Sequence, residues 1–313
     1  MKPSTYPKVT ILLAAFNRAH LILETLESIA NQTYTHFECL ITDDNSIDTT
    51  ETVVKNFIKT DSRFYYFKKP KKYPQGLSAT RNFGLDLAQD RNAEYIQFFD
   101  DDDLMHPQKL ELQIQPFYEN PDLDLTVCMY RKFQELETIE FDLNKADNQD
   151  CKIVSKNILK SFYLNQFNLN SPGPLWKRQS LANYRFDESL FYAEEREFYL
   201  RIFLLESISY VPVKKILFWY RKHPKAITSS LYSNPKIKAD SEKLFQDGYL
   251  KLILRQKKPP FYILKSYVKI AIKNGRSDYI KQIQNHLAKP RNFLFPNRLA
   301  LLVYSKFFQL VKG

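Results

Sequence analysis

Four consecutive aspartates make the stretch YIQFFDDDDLMHPQKL, residues 95–110, the clearest sign of chemistry in this chain. Like charges repel one another, so this arrangement calls for a compensating partner. Hard divalent cations such as Mg²⁺ or Mn²⁺ prefer carboxylate oxygens and often take only one or two of them from the protein. We expect Asp100 and Asp102, two positions apart at the end of a strand, to face one cation, with Asp101 facing away.

The start of a helix explains part of the acidic run without any ligand. Asp103 precedes LMHPQKLELQI, residues 104–114, and a carboxylate at that position caps a helix and complements its dipole. Because a cap needs one carboxylate and not four, we assign Asp103 to the cap and the Asp100/Asp102 pair to a metal or ligand.

The hydrophobic pattern predicts the elements that position these acids. Continuous apolar runs predict strands covered on both faces, and apolar residues at helical spacing predict helices between them. Strands that alternate with helices indicate a parallel sheet built from βαβ units. The predicted strands are residues 9–16, 36–44, 63–69 and 93–99, and the predicted helices are residues 17–32, 46–61 (capped by Ser46 or Asp48) and 76–90.

Polar residues follow three of these strands. Asn17 and Arg18 come after the first, Asp43 and Asp44 end the second, and the acidic run at 100–103 follows the fourth. In an open α/β sheet, ligands bind at the carboxyl ends of the strands. We therefore expect these side chains to share one cleft.

The pattern is weaker in the second half of the chain. Residues 125–134 predict a strand, residues 171–181 a turn leading into a helix, and residues 193–207 a helix. Residues 208–223 predict one or two further strands, and the chain from about residue 235 predicts basic helices.

The composition excludes several classes of protein. With 44% apolar residues the chain has material for a sizeable core, so disorder of the whole chain is not expected. The three cysteines, Cys39, Cys128 and Cys151, show no metal-type spacing, which indicates a reducing compartment without zinc or disulfide frameworks. We expect no signal peptide and no membrane-spanning helix.

The net charge of +11 is concentrated at the C-terminal end. Residues 251–313 contain 14 Lys or Arg and one acid, Asp278, whereas the remainder carries −2. An amphipathic helix at residues 298–312, lying on an anionic membrane surface, is one explanation, and a helix packed on the domain with solvated cations is another. Nucleic acid is not an expected partner, because no recognised binding motif accompanies the charge.

Several motifs in combination resemble the nucleotide-binding half of the family 2 glycosyltransferases. They are a strand ending in FN, the turn DDNSID at residues 43–48, the helix ATRNFG at residues 79–84, and DDDD shortly before a proline. The resemblance is continuous over residues 8–110 and resumes in pieces to about residue 229.

The resemblance implies a fold and a domain division. The fold is α/β of the GT-A type, a Rossmann-like, mostly parallel sheet flanked by helices. It covers residues 1–234, with the nucleotide at 8–110 and the acceptor at 111–234, and a basic helical region follows at 235–313.

It also implies a set of donor-site residues. Asp44, with Asp43 as a second candidate, accepts a hydrogen bond from the base, and Arg81 lies near the base or the diphosphate. Asp100 reaches the ribose, and Asp102 holds the metal that bridges the two phosphates. Such a cation neutralises the charge that builds on the leaving diphosphate. The implied nucleotide-binding residues are Ala14, Ala15, Phe16, Asn17, Asp43, Asp44, Arg81, Asp100 and Asp101, and the implied metal ligands are Asp102, Asp100 and His223.

A catalytic base is implied in FYAEEREFYLRI, residues 191–202. Members of the family often carry an acidic pair there, whose second residue deprotonates the acceptor hydroxyl, and Glu195 falls on that position after Glu194. Here Glu replaces Asp, and either carboxylate can take a proton within hydrogen-bond reach. Glu194 or Glu197 stays open as the base, and a solvated helix start with a Glu197–Arg201 ion pair is the alternative without function.

Two further segments resemble the acceptor side. In SPGPLWKR, residues 171–178, Gly173 forms a rigid turn and Trp176 either stacks on a sugar or packs in the core. In FWYRKH, residues 218–223, His223 completes the metal site or contacts the diphosphate, and Arg221 contacts a phosphate.

The resulting hypothesis is an inverting glycosyltransferase that depends on Mn²⁺ or Mg²⁺ and acts in surface-polysaccharide biosynthesis. The family favours UDP-sugars as donors, and the acceptor is a glycan or a lipid-linked intermediate. The alternatives are a non-catalytic relative that binds nucleotide or glycan, and a sugar nucleotidyltransferase, although the latter would need a glycine-rich basic loop that AAFNRAH, residues 14–20, does not supply. We expect a cytoplasmic protein, peripheral at the inner face of the plasma membrane if the basic region binds lipid.

Overall fold

Strands and helices alternate along the first hundred residues, as the hydrophobic pattern predicts. The computed structural model describes residues 6–134, 137–143, 153–224 and 234–289. Every residue of the first two strands is buried, which confirms their interpretation as strands covered on both faces. The first elements are β1 (Val9–Ala15), α1 (Ile22–Ala30), β2 (Phe37–Asp43), α2 (Thr50–Phe57), β3 (Phe64–Lys68), α3 (Leu77–Asp90) and β4 (Tyr95–Asp100).

These four strands lie side by side in the order β3-β2-β1-β4, and all of them run parallel. The register pairs Ala15 with Asp43 and Ala14 with Asp100. The carboxyl ends of β1, β2 and β4 therefore meet at one edge of the sheet. The predicted α/β fold with neighbouring polar strand ends is confirmed.

Later strands extend the same sheet with mixed directions. β7 runs antiparallel to β4 and β6, β8 runs parallel to β6, and β5 runs antiparallel to β8. The sheet order is β3-β2-β1-β4-β7-β6-β8-β5. The added elements are β5 (Leu104–Met105), α4 (Lys109–Glu119), β6 (Leu125–Gln134), α5 (Ile158–Tyr163), β7 (Pro174–Lys177), α6 (Arg178–Leu181), α7 (Glu194–Leu205) and β8 (Tyr210–Lys222).

The predicted cap at Asp103 is wrong. The acidic run is followed by β5, and α4 begins only at Lys109, after Gln108. Asp103 is fully buried and accepts a hydrogen bond from the backbone N–H of Arg221 at 2.9 Å. Leu104 and Met105, which the sequence assigns to the start of a helix, instead form β5 and pair with β8.

Two other local predictions need correction. α2 is preceded by Thr49 and not by a capping Ser46, although the Asp48 carboxylate does accept the N–H of Thr50 at 2.9 Å. Residues 174–177, predicted as part of a turn, form β7 because they pair with strands on both sides.

The chain divides into two compact units, Met1–Ser241 and Glu242–Gly313. In its described part the second unit contains the end of α8 (Pro235–Arg255), then α9 (Phe261–Asn274) and α10 (Ser277–Ala288). The predicted helix at 298–312 lies outside the described residues, and the domain boundary at residue 234 stays a prediction. Within the described ranges, no helix has both the length and the apolarity needed to span a bilayer.

Candidate active site

The acidic run after β4 is joined to the turn after β1. Asp101 accepts the N–H of Phe16 at 2.9 Å, and its other oxygen lies 3.4 Å from Nε of Arg18. The same Nε lies 3.5 Å from a carboxylate oxygen of Asp102. The expectation that Asp101 faces away is therefore wrong, because its side chain ties the end of β4 to the end of β1.

The structure brings Asp102 and His223 together. His223 Nε2 lies 2.9 Å from Oδ2 of Asp102, although 121 residues separate them in sequence. The pairing of β5 with β8 explains this approach, because it places the residue after β8 beside the acidic run. A carboxylate and an imidazole therefore meet where the sequence places a metal.

Arg221, the predicted phosphate contact, is directed elsewhere. Its guanidinium is buried, donates from Nε to the carbonyl of Asp102 at 2.7 Å, and forms an ion pair with Glu24. It also lies over the ring of Phe133, 4.6 Å from its centroid. Arg221 thus fixes the backbone of the acidic run, and its contact with a phosphate stays a prediction.

Arg81 connects the acidic run to α7. From α3, its Nη2 donates to Asp100 at 2.8 Å and to Glu195 at 2.9 Å, and its Nη1 lies 3.5 Å from Glu194. One buried cation thus faces three carboxylates. Burial, reinforced by neighbouring acids, raises the pKa of Asp100 to about 6 and that of Glu194 to about 7.

The acids of α7 have different partners. Glu195 accepts both from Arg81 and from the backbone N–H of Ser171, at 3.2 Å. Glu197 instead forms the predicted i,i+4 ion pair with Arg201 at 2.7 Å. Among the acids of this helix turn, Glu195 is therefore the one that is held both by Arg81 and by the turn before β7.

The two aspartates at the end of β2 are held by protein groups. Asp43 accepts from the backbone N–H and hydroxyl of Ser46 and from the hydroxyl of Tyr66. Asp44 accepts the N–H of Gly76 at 2.8 Å and forms an ion pair with the buried Lys69. These contacts connect the end of β2 to the start of α3, and the role of both aspartates in base recognition stays a prediction.

The turn after β1 is rigidly built. Ala14 and Ala15 are buried in the strand, and Phe16 is 38% exposed. Asn17 adopts the left-handed backbone conformation, with φ of 52°, donates its N–H to the hydroxyl of Ser46 at 2.9 Å, and accepts the N–H of Ile47. The loops after β1 and β2 are thus held together at the predicted nucleotide site.

The acceptor-side residues are placed in the core. Trp176 in β7 has no exposed surface, and its ring stacks on Tyr199 with the centroids 6.0 Å apart. Of the two alternatives for Trp176, the structure shows core packing and not sugar stacking, because Tyr199 and Phe203 of α7 stack on its buried ring. Gly173 is buried, and its backbone N–H donates to the carbonyl of Asn170 at 2.9 Å. Gly173 therefore closes this turn within the protein interior.

The acidic run fits a hard divalent cation. Burial and then the charge of Asp102 raise the pKa of Asp101 and of Asp103 well above the usual range, so additional positive charge would stabilise the run. In the described part of the chain no three or more His, Cys, Asp or Glu side chains form a ready metal site. Asp102 and His223, in contact at 2.9 Å, thus suit a cation that takes its other ligands from water or phosphate. Asp100 contacts Arg81 instead, and its place among the metal ligands stays a prediction.

The sequence assigns no specific role to two buried cations of the site. Arg18 stands out in sequence only as a polar residue after a strand, and Lys69 is one of several lysines in KKPKK, residues 68–72. Both are buried cations paired with carboxylates. The signal that identifies them is the excess of acids at the strand ends, which requires nearby cations.

Comparison with known proteins shows the family. The model described as "Glycosyl transferase family 2" matches residues 10–176, more than half of the chain. The chain belongs to glycosyl transferase family 2.

Relatives of known sequence carry glycosyltransferase names. A GalNAc(5)-diNAcBac-PP-undecaprenol beta-1,3-glucosyltransferase of Campylobacter jejuni is 32% identical over 197 residues, 63% of this chain and 60% of that protein. The putative glycosyltransferase EpsH of Bacillus subtilis is 28% identical over 249 residues, 77% of this chain and 66% of that protein. The chain thus spans less than two thirds of either relative.

Solved structures show the same GT-A fold. TarS residues 1–349 from S. aureus in complex with UDP-GlcNAc gives a TM-score of 0.63 at 19% identity, covering 98% of this chain and 89% of that one. The mannosyltransferase PcManGT from Pyrobaculum calidifontis in complex with GDP-Man and Mn²⁺ gives 0.56 at 14% identity, covering 99% and 89%.

Proposed function

We propose that this protein transfers a sugar, with inversion, from a UDP-sugar to a glycan or lipid-linked acceptor in surface-polysaccharide biosynthesis. The observation that carries the proposal is the chain of contacts from Asp102 and His223 through the acidic run to Arg81 and Glu195. These contacts support a donor side at the acidic run and a base at Glu195, because one nitrogen of the buried Arg81, Nη2, donates to both Asp100 and Glu195.

Glu195 is the base of the proposed reaction. Its ionised carboxylate, held by Arg81 and by the N–H of Ser171, takes the proton of the acceptor hydroxyl. The acceptor oxygen then bonds to the anomeric carbon while the bond from that carbon to the diphosphate oxygen breaks. Attack opposite to the leaving group inverts the configuration, and nucleoside diphosphate is released.

The donor side stabilises the leaving group. Asp102 and His223, with Asp100, would hold Mn²⁺ or Mg²⁺, which neutralises charge on the departing diphosphate. Asp101 and Arg18 keep the acidic run against the end of β1, where the nucleotide is proposed to lie against Ala14 to Asn17. Asp43 and Asp44 are proposed to present the loop that recognises the base.

The choice of donor and acceptor is supported by the relatives. UDP and UDP-GlcNAc occur in complexes of TarS, and PP-undecaprenol occurs in the name of one relative. A lipid-linked acceptor also agrees with the ten Lys or Arg and one acid within residues 251–289. A peripheral location at the inner face of the membrane is part of the proposal.

The test measures Mn²⁺-dependent release of UDP from a panel of UDP-sugars with glycan and lipid-linked acceptors. Glu195→Gln removes the base and is expected to lower turnover about 100-fold or more, in the range typical of general bases. Binding of UDP, followed by thermal shift, is expected to change little. Glu119→Gln, at an exposed acid at the end of α4, is the matched control and keeps full turnover.

Three outcomes would contradict the proposal. Full activity of Glu195→Gln would show that another group is the base. Full Mn²⁺-dependent activity of Asp102→Ala would remove the metal role of that residue. Nucleotide binding by the wild type without transfer to any acceptor would favour the non-catalytic alternative.

A further inference from the structure

A buried lysine near the middle of the sheet has no role in the site described above. Lys109, the first residue of α4, has no exposed surface, and burial lowers its pKa to about 8. In the described part of the chain its hydrogen bonds are to neutral side chains: Nζ donates to the side-chain oxygen of Gln97 at 2.7 Å and to that of Gln113. A buried ammonium without an acidic partner is costly, so its retention calls for a reason.

The ammonium determines how both glutamines are oriented. An ammonium only donates hydrogen bonds, so each amide must turn its oxygen toward Lys109 and its NH₂ group away. Gln97 thereby donates to the carbonyl of Pro172 at 3.0 Å, and Gln113 donates to the carbonyl of Gly173 at 2.9 Å. Lys109 thus fixes two amides that hold consecutive carbonyls of one turn.

That turn also contacts the proposed base. Residues 170–173 form it, closed by the bond from the Gly173 N–H to the Asn170 carbonyl at 2.9 Å. Ser171 is the second residue of this turn, directly before Pro172, and its backbone N–H donates to the Glu195 carboxylate at 3.2 Å. The same turn that Lys109 secures from the core therefore orients the Glu195 carboxylate.

We propose that Lys109 is a positioning residue that acts through Gln97, Gln113 and the turn at residues 170–173 to hold Glu195 in place for proton transfer. The inference rests on the proposed function, because it assigns the base to Glu195. Displacing a catalytic carboxylate by about 1 Å can lower the reaction rate on the order of 100-fold. A residue that holds the carboxylate in place therefore has a measurable effect on the rate.

The experiment replaces Lys109 with Met, which keeps an unbranched side chain and removes the donor. We expect kcat to fall about tenfold or more, KM for the UDP-sugar to stay within about twofold, and the amides of the turn to exchange faster with deuterium. Leu110→Ala is the matched control, since Leu110 is fully buried on the same helix and its side chain has no polar contact with the turn. It is expected to lower Tm while kcat is kept.

A double-variant cycle separates positioning from a general loss of structure. In the Glu195→Gln background, Lys109→Met is expected to cause no further loss of kcat, because the base is already absent. An additive loss in that background, or unchanged kcat and exchange in Lys109→Met alone, would overturn the proposal.

A second variant covers the case in which Lys109→Met does not fold. Gln97→Glu keeps a side-chain acceptor for the Lys109 ammonium but removes the NH₂ group that donates to the carbonyl of Pro172. This variant is expected to lower kcat and to speed deuterium exchange at the backbone amides of the turn. Wild-type kcat in a folded Gln97→Glu variant would overturn the proposal. If Glu195→Gln is itself fully active, the proposed base is wrong, and unchanged exchange in Lys109→Met would separately show that Lys109 does not hold the turn.

Discussion

At the scale of single residues, the site is organised by buried cations that each serve more than one acid. Arg18 lies between Asp101 and Asp102, and Arg81 contacts Asp100, Glu194 and Glu195. Each arginine therefore links residues that come from different elements. Sequence reasoning identifies the acids because they are consecutive, but it cannot identify which cations approach them, since that depends on the register of the strands.

The pKa of Glu194 gives a prediction about stability and pH. Burial, followed by the charge of Glu195, raises this pKa from the usual value near 4.5 to about 7. The folded state therefore holds a proton that the unfolded state has released. The stability associated with that proton is present below about pH 4.5 and is lost as the pH rises through about 7.

Glu194→Gln removes this titration. The difference in unfolding free energy between the variant and the wild type is expected to grow in favour of the variant by about 1–3 kcal/mol from pH 5 to pH 8. The measurement is denaturant unfolding at both pH values in the presence of EDTA. Glu119→Gln serves as the exposed control, and an equal pH dependence in Glu194→Gln and wild type would contradict the assignment.

At the scale of elements, the start of α3 depends on one glycine. Gly76 has φ of +132°, a conformation that residues with a Cβ rarely adopt, and its N–H is held by Asp44. Gly84, within the same helix, lies in ordinary helical backbone, and a Cβ there would lie 3.6 Å from Leu12, an ordinary contact.

Gly76→Ala is therefore expected to reduce the unfolding free energy by about 1–3 kcal/mol, because the added Cβ strains this backbone conformation. Gly84→Ala is the control and is expected to be neutral or to stabilise the helix slightly. Both values come from denaturant unfolding. Equal stability of the two variants would show that the conformation at residue 76 costs nothing.

The parallel half of the sheet could be predicted from sequence and the mixed half could not. Long apolar runs mark β1, β2 and β4 because both of their faces are buried. β5 and β7 contain only two and four residues, and their strand character comes from distant partners. No local pattern distinguishes such a segment from a turn, which is why the Asp103 cap was a wrong expectation and why the sequence left two alternatives open for Trp176.

At the scale of the whole molecule, charge separates the two ends of the chain. Residues 251–289 carry ten Lys or Arg and one acid. Several of these lysines are exposed, among them Lys257, Lys258, Lys265 and Lys269. Basic residues near an anionic bilayer each contribute about 1 kcal/mol of attraction, which salt weakens.

Binding to vesicles tests this attraction. Sedimentation with vesicles of phosphatidylglycerol and phosphatidylcholine is expected to retain the wild type at low salt and release it at about 0.5 M salt, where screening is strong. Replacing the four exposed lysines with Gln is expected to weaken binding about tenfold or more. Equal retention on pure phosphatidylcholine would contradict an electrostatic attachment.

A matched variant controls for the loss of charge alone. It replaces four exposed lysines of the first unit with Gln, namely Lys55, Lys59, Lys132 and Lys214. If this variant loses vesicle binding to the same extent, the attraction belongs to the net charge of the protein and not to the basic region.

The pairing of Asp102 with His223 across 121 residues has a consequence for biosynthesis. During translation, the four parallel strands and the acidic run are synthesised well before His223. Glu195 likewise follows Arg81 by 114 residues. During that interval Asp102 lacks His223, and Arg81 lacks Glu195. The four parallel strands are therefore synthesised before the mixed half of the sheet, and a chain terminated before residue 194 would lack both Glu195 and His223.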